Sequence, residues 1–111
     1  MKKLAMALAI LLAGSTAAMA GWKTIGEYTS GGDAKELAVN RTIRTVQIEC
    51  TDGSVIVNTV VVREGAAKDP ITVARRFNKG EKQDLDLGHD RNATGLRISD
   101  GGKGRYKVHV K

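Results

Sequence analysis

From Trp22 onward the chain alternates between apolar and polar residues, and β-branched residues dominate the apolar positions. Successive side chains of a β-strand point to opposite faces, so a period of two is typical of strands with one buried face. The clearest example is Val46, Ile48 and Cys50, which would share one face of one strand. No stretch after residue 20 has a long apolar stripe at helical spacing. The sequence therefore predicts an all-β protein.

Turn residues, mainly Gly, Asp and Asn, divide this pattern into about eight short segments at roughly ten-residue spacing. The Asp52-Gly53 pair and the run from Asp100 to Gly104 are typical of tight turns, and Gly88 to Gly95 is predicted as a loop. A change of phase between Ile43 and Val46 predicts a β-bulge at that point. The regular spacing favours an antiparallel β-sandwich or an open barrel of about eight short strands. The predicted strands cover residues 22–28, 35–39, 42–50, 55–63, 71–77, 82–87, 96–99 and 105–111.

The first 20 residues have the features of a targeting segment. Lys2 and Lys3 precede an apolar run that ends at Ala13, and Ala18-Met19-Ala20 provides small residues at a cleavage position. A membrane-spanning helix needs about 20 apolar residues, which this run does not reach. We therefore predict a cleavable signal peptide at residues 1–20 and a periplasmic or secreted mature protein.

Residues 21–111 have the length of one small domain with a modest core. Without Lys2 and Lys3 the chain has 16 Lys and Arg against 12 Asp and Glu, a formal charge of +4. This mild excess permits attraction to an anionic partner without requiring one. Cys50 is the single cysteine, so no internal disulfide can form, and its place in the alternation predicts a buried, small apolar side chain. Pairing with another chain and a nucleophilic role are the alternatives.

The segment Gln83–Arg91 concentrates the residues most able to bind a metal ion. Asp84 and Asp86 would share one face of a strand, and His89 and Asp90 follow them in a loop. Calcium and magnesium prefer several oxygen ligands at fixed offsets, and the calcium-loop pattern is only partly present because the distal glutamate is missing. The spacing does not match a zinc site. Two interpretations remain: a solvent-facing strand followed by a turn, which the pattern favours, and a metal site.

The last predicted strand carries a row of basic residues. Arg105, Lys107, His109 and Lys111 alternate with apolar residues and would therefore share one outer face. Such a face can attract an anionic partner, or it can simply prevent edge-to-edge association of sheets. Aromatic residues make up 4% of the chain and none lies on this face, which argues against nucleic acid as the partner.

Trp22 is predicted to fill part of the core at the start of the first strand.

Two Asn-x-Thr triplets, Asn40-Arg41-Thr42 and Asn92-Ala93-Thr94, match the acceptor sequence for N-glycosylation. That match matters only in a eukaryotic secretory pathway. The lysine start and the short apolar run of the first segment look bacterial.

One set of positions extends over most of the chain after residue 20 and consists of Trp22–Gly26, Asp33, Val46–Ile48, Val60–Val62, Phe77–Gly80, Asp86, Leu87, Arg91 and Leu96–Ile98. In this set the sequence resembles the YaaI-like family of small secreted bacterial proteins. The resemblance implies a compact, exported β-sandwich, with no catalytic residues to carry over. Arg91 departs from the family pattern, because four residues separate it from Leu96.

These patterns predict an exported protein of the bacterial envelope that acts by binding and not by catalysis. The expected partner is an envelope protein, an anionic polysaccharide or an anionic lipid surface, and no cofactor is expected. The candidate binding face is Arg105, Lys107, His109 and Lys111. The alternative is a metal-assisted hydrolase that uses the aspartate and histidine side chains of the Gln83–Arg91 segment.

Overall fold

The computed structural model describes residues 21–111. The predicted signal peptide, residues 1–20, lies outside this range. Every regular element in the described range is a β-strand, so the all-β prediction is confirmed. Residues 21–111 contain no helix that is long and apolar enough to cross a membrane.

Four strands form one antiparallel sheet, where the sequence predicted about eight short ones. The order across the sheet is β1-β4-β2-β3, and every neighbouring pair is antiparallel. The short strand β1 pairs only with β4, and β3 forms the opposite edge beside β2. The strands are β1 Lys23–Thr29, β2 Lys35–Glu64, β3 Ala67–Asn78 and β4 Lys82–Val110.

The segments predicted as turns are interior parts of the long strands. The Asp52-Gly53 pair lies within β2, and the glycine-rich run Asp100–Gly104 lies within β4. These two segments pair with each other, because Gly53 is the register partner of Gly104. A Cβ atom on Gly104 would lie 2.8 Å from the Ser54 amide nitrogen. The glycines therefore permit close backbone approach and local bending inside the strands, and they do not end them.

The predicted bulge between Ile43 and Val46 is confirmed, because the pairing of β2 with β4 shifts between Ile43 and Thr45. Beyond this bulge β2 meets β4 twice. Val46 pairs with Leu85 on one side and with Val110 on the other, so both ends of β4 flank the same part of β2. The sheet is therefore strongly coiled, and it surrounds its own apolar side chains.

The core consists of the alternate residues that the period-two pattern predicted. Val46, Ile48 and Cys50 are at most 1% exposed, and the same is true of Val108 and Val110 in β4. Burial of apolar surface stabilises such a core by about 25 cal/mol per Å². The thiol of Cys50 is free and buried, as predicted. Trp22 is an exception, since it precedes β1 and is only partly buried.

A buried polar group stands at one corner of the sheet. The side chain of Asp100 has no exposed surface, and its carboxylate accepts a hydrogen bond from the backbone amide of Gly31 at 2.7 Å. The Lys35 ammonium lies 3.2 Å away, and the hydroxyl of Tyr106 donates to the same carboxylate. A buried charge is tolerated when it is paired and hydrogen-bonded, so these partners hold the connection between β1 and β2 against β4.

Candidate binding site

The aspartates of the Gln83–Arg91 segment are separate surface groups. The Asp84 carboxylate accepts a hydrogen bond from Gln47 Nε2 at 2.8 Å, and the Asp86 carboxylate accepts one from the Gly88 amide at 2.8 Å. Both aspartates are exposed. Each therefore serves a local contact of the outer face.

The other two candidate ligands lie farther along β4. His89 and Asp90 are exposed, and Asp90 Oδ1 is 3.9 Å from the Arg44 guanidinium. Within residues 21–111, no three His, Cys, Asp or Glu side chains are placed to hold a metal ion together. The structure does not assemble the four predicted ligands, and their exposure matches the solvent-facing interpretation of this segment. The loop predicted from Gly88 to Gly95 is wrong, because β4 continues through these residues.

The predicted basic face requires a correction at His109. Arg105 and Lys111 are exposed and Lys107 is partly exposed, but His109 is only 4% exposed. Its imidazole is enclosed between the two neighbouring strands, with Thr24 Oγ1 2.8 Å from Nδ1 and Glu49 Oε1 2.9 Å from Nε2. Both ring nitrogens are thus occupied, and the side chain fastens β1 and β2 to β4.

Two of the remaining basic residues of this face, Arg105 and Lys107, lie beside acids of adjacent strands. Lys107 has Glu27 of β1 as its register partner on one side and Glu49 of β2 on the other. Glu49 in turn pairs with Lys82, so acidic and basic residues alternate across four adjacent strand segments. We call Glu27, Lys107, Glu49 and Lys82 the charge ladder. An approaching anion meets this alternation instead of an uninterrupted basic stripe.

Two further contacts engage the exposed basic residues of the same face. The Arg105 guanidinium is 3.5 Å from the Glu27 carboxylate. The hydrogen bond from Thr51, together with the charge of Arg105, holds the pKa of Glu27 below its usual value. The Lys111 ammonium lies 4.7 Å from the centre of the Trp22 ring, a cation–π contact at the sheet edge. Trp22 therefore covers the end of β4 and does not fill the core as predicted.

The two Asn-x-Thr triplets come together although they are 52 positions apart in the sequence. In the pairing of β2 with β4, Arg41 is the partner of Ala93 and Thr42 is the partner of Asn92. The Thr42 hydroxyl donates a hydrogen bond to Asn92 Oδ1 at 2.9 Å. This bond orients the side-chain amide of Asn92. Both residues are exposed, so the amide is held at the surface.

A β-bulge shapes the backbone at this place. Ala38 pairs with Gly95 and Arg41 pairs with Ala93, so two residues of β2, Val39 and Asn40, oppose one residue of β4. Asn40 adopts a φ of 51°, in the left-handed region that costs energy for any residue other than glycine. Asn tolerates this region better than most residues. Bulges of this kind re-aim side chains and are over-represented beside functional sites.

The bulge and the paired triplets enclose a shallow depression of about 360 Å³. Its size lies at the small end of the range for ligand sites. Its polar groups are two carboxamides, two hydroxyls and one guanidinium, beside the buried methyl group of Ala93. We call this feature the Asn-Thr depression, and it is lined by Asn40, Arg41, Thr42, Asn92, Ala93 and Thr94.

The rim of the depression is joined to the turn between β2 and β3. The Thr94 hydroxyl donates to the carbonyl oxygen of Arg63 at 3.2 Å and accepts from the Gly65 amide at 3.1 Å. These bonds hold one wall of the depression in place. Sequence reasoning missed the site, although the repeated Asn-x-Thr pattern was the available signal. Only the register of β2 against β4 places the two copies side by side.

Comparisons with known proteins give no relative for this chain. No family model matches it, and neither a curated protein nor a solved structure is significantly similar to it. The resemblance to the YaaI-like family stays a prediction.

Proposed function

We propose that this protein is an exported, non-catalytic β-sandwich of the bacterial cell envelope that binds a glycan in the Asn-Thr depression. The observation that supports this proposal most is the pairing of the two Asn-x-Thr triplets around one concave surface. Amide and hydroxyl groups both donate and accept hydrogen bonds, which is what the hydroxyls of a sugar require. A site lined this way favours a ligand that is itself polar.

The binding role also agrees with the way the remaining polar groups are used. His109 and Glu49 are engaged with each other, and Asp100 is held by Lys35 and Tyr106. The imidazole of His109 is too enclosed to reach a substrate. The depression, in contrast, presents exposed side chains on a rigid pair of strands, which suits recognition without a chemical step.

The binding test is a titration of the protein, obtained by expression of the full 111-residue chain, with two oligosaccharides. One is a neutral hexamer of N-acetylglucosamine and the other a hexamer of galacturonic acid. Amide resonances of residues 40–42 and 92–94 should shift on addition of at least one of them. The Thr42→Val variant keeps the side-chain shape but loses the hydroxyl, and it should weaken binding.

Thr72→Val is the matched control, because Thr72 is another exposed strand threonine, in β3. It should bind like the unaltered protein. If neither hexamer shifts the resonances of the depression, or if both threonine variants behave alike, the proposed function is wrong.

The proposal of export has its own test. We expect cleavage after Ala20, so the protein recovered from the periplasm or medium of a bacterial host should begin at Gly21. Intact-mass measurement reads this directly. Recovery of the chain in the cytoplasm with its first 20 residues still attached would contradict export.

A further inference from the structure

We infer that the ligand of the Asn-Thr depression is an acidic polysaccharide whose carboxylate-bearing residues extend onto a strip of cations beside it. This inference rests on the proposed function and specifies the class of glycan. The strip consists of Arg63, Lys68 and Arg97, and we call it the cationic strip. Its position, its charge and the chemistry of the depression each support the assignment.

The strip lies close to the depression in the register of the sheet. Arg63 of β2 has Lys68 of β3 as its register partner on one side and Gly95 of β4 on the other. Thr94, which lines the depression, donates its hydroxyl hydrogen to the Arg63 carbonyl oxygen. Arg97 follows two residues beyond Gly95, on the same face of β4. Arg97 lies three residues beyond Thr94 along β4, a distance of about 10 Å in a strand, so a polymer of several sugar residues could span the depression and the strip.

The strip carries more positive charge than its neighbours neutralise. Arg63 and Arg97 share a single carboxylate oxygen, Oε2 of Glu36, at 3.2 Å and 2.7 Å. Within residues 21–111, Lys68 and Arg41 form no ion pair, so they add two cations to this end of the sheet.

Acids near the strip do not cancel this charge. Glu64 is the one further acid of the β2–β3 turn, and the Asp69 carboxylate is held at 2.8 Å by the Arg91 guanidinium. The local balance thus stays positive. On the charge ladder each basic residue instead has an acidic register partner.

The chemistry of the depression distinguishes the polysaccharide from other anions. Single-stranded nucleic acid binding relies on aromatic stacking, and no aromatic residue lines the depression. Attachment to a lipid surface uses apolar and aromatic side chains that enter the bilayer, whereas the lining here is amide, hydroxyl and guanidinium. A carboxylated sugar offers both hydroxyls for the depression and anions for the arginines, which bind carboxylates with well-directed hydrogen bonds.

Two charge-changing variants test the inference with the two hexamers used above. Arg97→Gln removes one cation and should weaken binding of the galacturonate hexamer by about fivefold, the upper range for an exposed ion pair. Glu36→Gln removes the carboxylate that competes for both arginines and should strengthen it by about threefold. Binding of the galacturonate hexamer should also weaken as salt is raised, because exposed charges are screened.

Matched controls carry the same charge changes on the charge ladder. Lys107→Gln and Glu27→Gln alter the net charge as Arg97→Gln and Glu36→Gln do, but at the other end of the sheet. They should leave the affinity for the galacturonate hexamer within about twofold of that of the unaltered protein. The reason is that salt at 0.1 M screens the electrostatic effect of a surface charge beyond about 10 Å. Circular dichroism checks that each variant is folded.

The outcomes separate this inference from the proposed function. Equal affinity for the two hexamers, with no response to Glu36→Gln, overturns the acidic ligand and leaves glycan binding in place. Binding of neither hexamer overturns both. Vesicles of anionic phospholipid and an oligothymidylate are the remaining probes. If either binds as tightly as the galacturonate hexamer and responds to the same variants, the site recognises anions in general and the saccharide assignment is wrong.

Discussion

The hydroxyl of Tyr106 donates a hydrogen bond to the carboxylate of Asp100, whose side chain has no exposed surface. Tyr106 itself is fully buried, next to Tyr28, with the two ring centres 5.9 Å apart. Burial, together with the bond to the Asp100 carboxylate, raises the pKa of the Tyr106 hydroxyl above its ordinary value. The hydrogen bond therefore links a buried residue of β4 to the Lys35–Asp100 ion pair at the connection between β1 and β2.

Replacement of Tyr106 by Phe should destabilise the protein. The Asp100 carboxylate would lose one donor in a site without water access, and an incompletely satisfied buried group costs about 1–3 kcal/mol. Urea unfolding at neutral pH measures the difference in the free energy of unfolding. Tyr28→Phe is the control, since Tyr28 is only partly buried, and its effect should be smaller. A Tyr106→Phe variant as stable as the unaltered protein would show that the bond contributes nothing.

The same tyrosine should make stability fall at high pH. The pKa of Tyr106 is raised in the folded state, whereas tyrosine in an unfolded chain ionises near pH 10. Below about pH 10 both states hold the proton and stability does not depend on this group. Above that pH the unfolded state releases the proton first, so the free energy of unfolding declines by at most about 1.4 kcal/mol per pH unit. Unfolding measured between pH 9 and 11.5 should show a shallower decline for Tyr106→Phe.

Gly104 should not tolerate a side chain, whereas Gly101 should. A Cβ atom at position 104 would crowd the Asp52 carbonyl oxygen and would lie 2.8 Å from the Ser54 amide nitrogen, while one at position 101 would meet open space. Neither glycine has a positive φ, so the comparison isolates the close approach of the two strands. We expect Gly104→Ala to cost about 1–3 kcal/mol and Gly101→Ala to stay within about 0.5 kcal/mol. Thermal unfolding of the two variants measures this, and equal losses would contradict the pairing of Gly53 with Gly104.

Replacement of Ala74 by glycine should increase the stability of the protein. Its φ of 49° lies in the left-handed region, where an L-residue with a Cβ atom pays about 1–2 kcal/mol. Glycine avoids this strain, but ordering its more flexible backbone on folding costs about 0.5–1 kcal/mol more than ordering alanine. Ala74→Gly should therefore stabilise the protein by up to about 1.5 kcal/mol. Ala38→Gly is the control at an exposed strand alanine without positive φ, and it should lower stability in the same unfolding assay.

Loss of Glu49 should cost more than loss of Glu27, although both carboxylates belong to the charge ladder. Glu49 satisfies Nε2 of the buried His109, whereas Glu27 is exposed and bound by the Thr51 hydroxyl. Glu49→Ala leaves a buried donor without its partner, which costs about 1–3 kcal/mol. Chemical unfolding of the two alanine variants gives the comparison. A larger effect at Glu27 would mean that His109 does not fasten the strands.

Much of the core could be predicted from the sequence. The alternation around Val46 and around Val108 indicates which side chains face inward. It does so because a period of two is a local property of an extended chain. The bulge near Thr45 was predictable for the same reason, since a bulge changes the local phase of the pattern.

The turns and the basic face were harder to predict because they depend on pairing. Asp52 and Gly53 have the composition of a turn, yet β2 continues through them because Gly104 permits the close approach of the two strands. His109 has the phase of an outward residue, but Thr24 and Glu49 on the flanking strands enclose it. The sequence of β4 alone does not show which residues of other strands will flank His109.

The sequence by itself determined that this chain forms strands and which alternate residues avoid water, because side-chain direction along a strand depends only on position. The tertiary structure alone decided which strands are neighbours and in what register. That choice brought Asn92 beside Thr42, gave Lys107 its acidic partners and left the Arg63 end of the sheet with unbalanced positive charge. Register is set by contacts between residues far apart in the chain, so a pattern read along one strand cannot contain it.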